Sequence, residues 1–341
     1  MARAFKRWSK VGFMARLDQR QLSQFRQQGF VVVEDLLDPE TYLDPLVAEY
    51  ERRLDDLARQ LLSDGQIRST YAGMEFGTRL TRIYQDSGQV HSQYFDFSLP
   101  QKGVTMETPM WHGPAAFDVL TAPPLLDAVE SIIGSEIFSN PTQHVRIKPP
   151  EHLTPRNPDT GLVQLGATPW HQDSGVVTAE ADESEILTVW IPVWDADEAA
   201  GCLHLVPRSH REGLKVHCPG GTATSPSTLG IPDELFRVGD AVPVPMRRGG
   251  ALFMHRLTCH GSLPNRSDRI RWSLDLRYNP TGQHTGRPVF PGFVARSRRN
   301  PESELDDPAV WAGLWRQARA RLAGHADPSY NRWSGKHPAC A

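Results

Sequence analysis

The ten residues Arg269–Tyr278 alternate strictly. Ile270, Trp272, Leu274, Leu276 and Tyr278 fall on one parity, and Arg269, Arg271, Ser273, Asp275 and Arg277 on the other. A period of two over this length specifies a β-strand with two unlike faces. The apolar face needs a hydrophobic layer to cover it. The polar face is the harder constraint, because buried charge is costly unless it is paired. It either stands in water or turns inward to line the mouth of a barrel, and its parity alone leaves both open.

The surroundings suit a β-rich fold. From about residue 70 to 280, short β-prone runs alternate with Gly, Pro, Asn and Asp clusters. They include Gln143–Lys148, Ile186–Val193, Cys202–Val206 and Gly250–Met254. Gly and Pro make up about 16% of the chain, against roughly 12% usually, as many tight turns require. No βαβ rhythm and no glycine-rich phosphate loop is present. Helices are expected before and after this stretch. One covers Gln21–Gln28 with Gly29 as its stop, followed by a short strand Phe30–Val33. A second starts at Asp38-Pro39 or Asp44-Pro45 and carries Leu46, Val47, Tyr50, Leu54, Leu57 and Leu61 at helical spacing. A third lies near 307–323, with Val310, Trp311, Leu314, Trp315, Ala318 and Leu322.

The pattern therefore predicts a mainly β fold with flanking helices, a sandwich or jelly-roll barrel. The expected organisation is a basic arm (1–20) and one domain (21–341). That domain has a β core of about 70–280 and helical buttresses at 21–65 and 307–323. Residues 217–245, rich in Gly, Pro, Ser and Thr, are expected to form a lid or to be disordered.

With 37 basic and 40 acidic residues, the formal charge of −3 gives no reason to expect a nucleic-acid partner. No apolar run is long enough to span a membrane. Met1–Arg20 is basic but lacks the apolar core of a signal peptide. Four cysteines (Cys202, Cys218, Cys259, Cys340) are too few for a disulfide scaffold, so a reducing cytoplasm is the expected compartment.

The chemistry is concentrated in His171-Gln172-Asp173. On an extended chain, residues two apart share a face, so one imidazole and one carboxylate can reach one metal. A third ligand has to come from a distant segment. His260 is the best candidate and His255 its rival. Two histidines and one carboxylate leave three positions open, a set suited to non-haem Fe(II) and dioxygen. A fixed guanidinium such as Arg271 would suit a dicarboxylate cosubstrate. The bland alternatives are a surface turn for the tripeptide and a solvated face for the arginines.

These segments, in order, resemble the phytanoyl-CoA dioxygenase family. They are His171-Gln172-Asp173, Gly201-Cys202-Leu203-His204-Leu205-Val206-Pro207-Arg208-Ser209-His210, and His260-Gly261-Ser262 with Asn265 and Arg271. The resemblance, over about Gly29 to Tyr278, implies a double-stranded β-helix (jelly-roll, cupin-like) fold and dependence on Fe(II), 2-oxoglutarate and O2. It implies His171, Asp173 and His260 as metal ligands, and Arg271 as the partner of the distal carboxylate of 2-oxoglutarate. Trp190, Ser262 and His144 are implied as further cosubstrate contacts, with substrate contact or a core role also open for His144, and Thr188, which shares parity with Trp190, is expected to reach the cosubstrate as well. The long connection 152–168 is expected at the mouth. The implied reaction oxidises a C–H bond of a small organic substrate, with release of succinate and CO2. Related halogenases lack the carboxylate ligand, so Asp173 favours hydroxylation, desaturation or ring closure. Two other readings stay open: a cupin-like metalloprotein that does not use 2-oxoglutarate, and a catalytically silent binding module.

Overall fold

The structure is a computed structural model that describes residues 15–219, 229–328, 330 and 332–340. The elements in chain order are α1 (Gln19–Gln28), β1 (Phe30–Val33), α2 (Asp44–Ser63), α3 (Phe76–Ser87), α4 (Pro114–Leu120), α5 (Pro123–Ile133), β2 (Glu136–Ser139) and β3 (His144–Lys148). Then follow β4 (Leu187–Pro192), β5 (Leu203–Leu205), β6 (Cys218–Pro219), β7 (Leu229–Gly230), β8 (Val242–Val244), β9 (Ala251–His255), β10 (His260–Ser262), β11 (Arg271–Pro280), β12 (Phe293–Ser297) and α6 (Pro308–Ala323). All strand pairs are antiparallel.

The alternating strand organises the fold. β11 lies inside the large sheet, whose order is β1-β9-β4-β11-β2-β12, and its first half pairs with β3 as well. One edge of β11 runs along β4, with Arg277 opposite Thr188 and Asp275 opposite Trp190. The other edge pairs Arg271 with Lys148 and Asp275 with His144. A smaller sheet, β10-β5-β8, packs across from it. Trp190, Leu252 and Met254 of the large sheet meet Leu203, Leu205 and Val244 of the small one in a buried cluster. The two sheets form the cupin-like architecture, but the barrel is not closed.

The apolar face of β11 is covered by helices. Trp272 is fully buried, and its ring lies 4.9 Å from Phe76 of α3, 5.1 Å from Tyr50 of α2 and 5.6 Å from Trp194. Leu46, Tyr50, Leu54, Leu57 and Leu61 bury the spaced stripe of α2. The Tyr50 hydroxyl, which could not be buried unpaired, donates to the Phe95 carbonyl at 3.0 Å.

Helix ends follow local chemistry. Asp18 accepts the Gln21 N–H while the Gln21 side chain accepts the Asp18 N–H, so α1 begins two residues before the expected start. Gly29 ends it in the left-handed conformation, at φ 85°. Both proposed starts of the second helix are used: Pro39–Leu43 forms a π-helical turn capped by Asp38 and runs into α2 at Asp44.

Three expectations need correction. The stretch 70–133, expected within the β core, holds α3, α4 and α5 and no strand. Pro114 and Pro123 sit in the first turns of α4 and α5, where proline is well tolerated. The described parts of 217–245 are not structureless. Cys218–Pro219 pairs with Leu229–Gly230, and Val242–Val244 joins the small sheet. The section 220–228 of the expected lid, and 1–14 of the basic arm, lie outside the described residues. Cys218 is joined to Cys340 in a disulfide, while Cys202 and Cys259 are free and buried. No helix among the described residues is long and apolar enough to cross a membrane.

Because Trp272 fills the space between the sheet and two helices, Trp272→Ala should cost about 3–5 kcal/mol in urea-induced unfolding. A loss below about 1 kcal/mol would mean that this face is not what holds the helices to the sheet.

Candidate metal and cosubstrate site

The polar face of β11 turns inward. Arg271, Asp275 and Arg277 line a cavity of about 670 Å³, together with His171, Asp173, His260, Thr188, Trp190 and His144. The volume suits a small molecule rather than a macromolecule.

His171 and His260 face each other through a β-bridge. The His171 N–H donates to the His260 carbonyl at 2.9 Å, and the His260 N–H returns the bond at 3.0 Å. Each ring has its orientation fixed in the same way. Nδ1 of His171 donates to the Pro169 carbonyl, and Nδ1 of His260 to the Thr258 carbonyl, both at 2.9 Å. That tautomer leaves both Nε2 atoms with free lone pairs, the state a metal requires. Burial, with His260 beside it, pushes the His171 pKa down to about 3, so the ring is neutral at ordinary pH. Gly261 is glycine for a steric reason: a Cβ there would lie 2.8 Å from Nε2 of His204 and 2.9 Å from the Thr168 carbonyl.

Asp173 completes the group, and one ligand atom from each of the three residues lies within 4.8 Å of the others. Its carboxylate is almost fully buried, ion-paired to Arg277 and hydrogen-bonded by the Thr188 hydroxyl. Burial alone would raise its pKa. Arg277, the two histidines and Thr188 outweigh that and hold it well below the usual carboxylate range. Gln172, between the two candidate ligands, points the other way. Its amide donates to the Gly213 and Leu257 carbonyls at 2.9 and 2.7 Å and accepts the Lys215 N–H at 2.7 Å. It pins the turn that carries Asp173 to the protein behind it.

Arg271 is an uncommitted cation of the cavity. It is 2% exposed, its Nε has no hydrogen-bond partner, and no carboxylate pairs with it among the described residues. NH1 donates to the Ser273 hydroxyl at 2.8 Å, and the guanidinium carbon lies 5.7 Å from the Trp190 ring. Burial lowers its pKa to about 10, which leaves it charged.

The remaining candidates divide. Thr188 lines the cavity, but its hydroxyl is engaged by Asp173, not left free for a cosubstrate. Trp190 lines it with its ring nitrogen unpaired. Ser262 does not line it. Its hydroxyl oxygen accepts from the Thr168 N–H at 2.8 Å and from the buried Lys148 ammonium at 3.1 Å. His144 lines the cavity while Nδ1 meets the Asp96 carboxylate at 2.8 Å. Asp96 sits in an irregular segment that gives no sequence signal. Asn265 is a turn-holder, donating to the Lys148 and Arg269 carbonyls at 3.1 and 2.8 Å.

His255 is not in the ligand group; its Nδ1 accepts the Leu257 N–H at 3.1 Å. Of the connection 152–168, only Thr168 lines the cavity, because Gln164 ties the loop to the Gly88 carbonyl and the Val90 N–H. The mouth is built instead from Pro100, Gln101, Lys102, Pro219 and Leu229.

A sequence model of the phytanoyl-CoA dioxygenase family matches residues 25–273. The chain belongs to the phytanoyl-CoA dioxygenase family. This is a family of 2-oxoglutarate-dependent non-haem iron oxygenases, with iron and 2-oxoglutarate as its cofactors. Among relatives, the 1-deoxypentalenic acid 11-beta-hydroxylase of Streptomyces arenae is 27% identical over 175 residues, 50% of this chain and 58% of that enzyme. The phytanoyl-CoA dioxygenase domain-containing protein 1 of Danio rerio is 26% identical over 277 residues, 75% of this chain and 87% of that protein. Among solved structures, the non-heme monooxygenase ThoJ in its apo form superposes with a TM-score of 0.54 at 18% identity, over 89% of this chain and 98% of that one. That likeness is one of fold.

The residues present fit an iron of this family: two fixed lone-pair nitrogens, one ionised carboxylate, and a buried arginine without a counter-ion. Replacing Arg277 by Gln would leave Asp173 buried and uncompensated, which costs about 3–5 kcal/mol for a buried pair. The metal-free variant should melt well below the wild type, and Mn(II) should restore more stability to it than to the wild type. Equal melting of the two metal-free proteins in a thermal scan would contradict the pairing.

Proposed function

We propose that the chain oxidises a C–H bond of a small organic substrate, coupled to decarboxylation of 2-oxoglutarate. In balance, substrate, 2-oxoglutarate and O2 give hydroxylated substrate, succinate and CO2. His171, Asp173 and His260 would hold the metal, and Arg271 the distal carboxylate of 2-oxoglutarate. Bound iron supplies the chelation of the 2-oxo acid and the activation of dioxygen.

The observation that carries the reading is Arg271. A buried guanidinium with no counter-ion is an expensive feature unless a ligand brings the missing charge. A dicarboxylate that reached the metal at one end and Arg271 at the other would bring it. Neither a silent binding module nor a cupin that ignores 2-oxoglutarate needs this cation. Around it, the chain's residues prepare the site before any ligand arrives. The backbone carbonyls of Pro169 and Thr258 orient the imidazoles, Arg277 and Thr188 hold the carboxylate ionised, and Trp190 walls one side. Hydroxylation is the preferred outcome, because Asp173 fills the position that a halide would need and because the Streptomyces arenae relative is named a hydroxylase.

Succinate formation from 2-oxoglutarate by the Fe(II)-loaded protein tests this. Even without the prime substrate a slow turnover is expected. Arg271→Gln should raise the KM for 2-oxoglutarate roughly 10–100-fold, the equivalent of losing charged hydrogen bonds worth about 1.5–3 kcal/mol, while metal affinity stays unchanged. An unaltered KM would remove Arg271 from the cosubstrate site.

A further inference from the structure

The charges around the cavity do not balance, and the imbalance points to the substrate. Its lining carries five cationic side chains against two carboxylates. Both carboxylates are taken: Asp173 by Arg277, and Asp275 by Arg146 at 3.5 Å. Lys102 is exposed at the mouth. Two buried guanidinium groups remain without a carboxylate partner among the described residues, Arg271 and Arg287. A divalent metal and a dianionic cosubstrate cancel each other, so with both bound the cationic excess is undiminished. Arg271 would be satisfied by the cosubstrate, and Arg287 would not.

Arg287 is held in place as a site residue would be. It is 3% exposed. NH1 donates to the Tyr330 carbonyl at 3.3 Å, NH2 donates to the Val176 carbonyl, and the guanidinium carbon lies 4.7 Å from the Tyr330 ring. Its backbone is fixed next door, where the Thr178 N–H donates to the Gly286 carbonyl at 3.2 Å. Val176 is three residues past Asp173, so this guanidinium sits beside the turn that carries the carboxylate ligand. Arg271 and Arg277 stand six residues apart on β11, about 20 Å along the strand, and Asp173 is at the Arg277 end. The two uncommitted arginines are thus separate features, one anchored on β11 and the other on the loop behind Asp173. Two backbone carbonyls could be satisfied by any neutral donor. They do not explain a full buried charge, whose desolvation costs several kcal/mol without a counter-ion. Burial and Arg277 lower the Arg287 pKa only to about 10, so that charge persists at neutral pH.

We propose that Arg287 is a second anion subsite and that the prime substrate carries an oxyanion, a carboxylate or phosphate, which Arg287 binds while its reacting carbon is presented to the metal. The inference rests on the oxygenase reading above and names the substrate class for the same cavity. The bidentate geometry of arginine favours such planar or tetrahedral oxyanions over a neutral carbonyl or hydroxyl. Bound there, the anion would fix the substrate's orientation, so Arg287 acts as a binding residue that selects the position oxidised.

The test uses the full chain loaded with Ni(II), which is inert to turnover, and saturated with 2-oxoglutarate. Calorimetric titration with hexanoate, octanoate and decanoate, with octyl phosphate, and with the matching neutral amides and octanol reads the preference. The expected result is that at least one anion binds roughly tenfold or more tightly than its neutral match, a difference of about 1.4 kcal/mol. The carboxylate and phosphate arms show which oxyanion the site takes. Arg287→Gln should abolish that preference and leave 2-oxoglutarate affinity within about twofold, and Arg287→Lys should retain part of it. Thermal melting of both variants checks that they fold, and the Lys variant carries the test if the Gln variant does not. The proposal is overturned if anions and neutral matches bind alike in the wild type. It is equally overturned if the preference survives in a folded Arg287→Gln, or if that variant loses 2-oxoglutarate affinity instead. Failure of the wild type to bind 2-oxoglutarate at all would strike the oxygenase reading itself, a distinct outcome.

Discussion

Three charged side chains on one face of β11, Arg271, Asp275 and Arg277, line the cavity, and each must find an opposite charge or a ligand. This requirement ties the fold to the site. Asp275 is matched by Arg146 across the strand pair, Arg277 by Asp173, and Arg271 by nothing the described chain supplies. The strand can hold such a face because its other face is so well covered: Trp272, Leu274, Leu276 and Tyr278 are fully buried against the helical layer. Apolar burial on one side offsets the cost of arranging charge on the other.

The pair Arg277–Asp173 shows how surrounding contacts prepare a candidate metal ligand. A carboxylate in this environment, left alone, would tend to take up a proton; the guanidinium and the Thr188 hydroxyl keep it charged. The histidines are handled differently, each bonded to the carbonyl two residues before it. Ligand readiness is therefore built from short local contacts for the rings and from strand register for the carboxylate, since Thr188 and Arg277 are direct partners across β4 and β11.

Much of this was legible in the sequence wherever the signal was periodic or local. The alternation of 269–278 and the spaced leucines of α2 each describe one element's faces, and the structure has those faces; His171 and Asp173 do come together, but from an isolated bridge and a 3-10 turn rather than from one strand. What was not legible depended on tertiary partners. Whether the polar face of β11 met water or a cavity could not be read from its own parity. Thr188 shares parity with Trp190, yet only the approach of Asp173 decides what its hydroxyl does. The partners of Arg296 and Arg298 are equally tertiary. The two arginines lock β12 to α5 through Asp127 and Glu130, at 2.7–3.1 Å. Arg287 stands in a Pro- and Gly-rich connection with no pattern to mark it, and its neighbours, Val176 and Tyr330, are distant in sequence. Helices α4 and α5 were missed because a proline opening a helix and a proline in a turn look alike without their context.

The central claim is that His171, Asp173 and His260 hold iron in a cavity where 2-oxoglutarate can chelate it. Anaerobic addition of Fe(II) and then 2-oxoglutarate, followed by visible absorption, reads this directly, because only chelation of the 2-oxo acid by the iron produces a weak metal-to-ligand charge-transfer band. The account predicts that the band develops in the wild-type protein and is lost in Asp173→Ala. No band in a folded wild-type protein, or an unchanged band in Asp173→Ala, would contradict it.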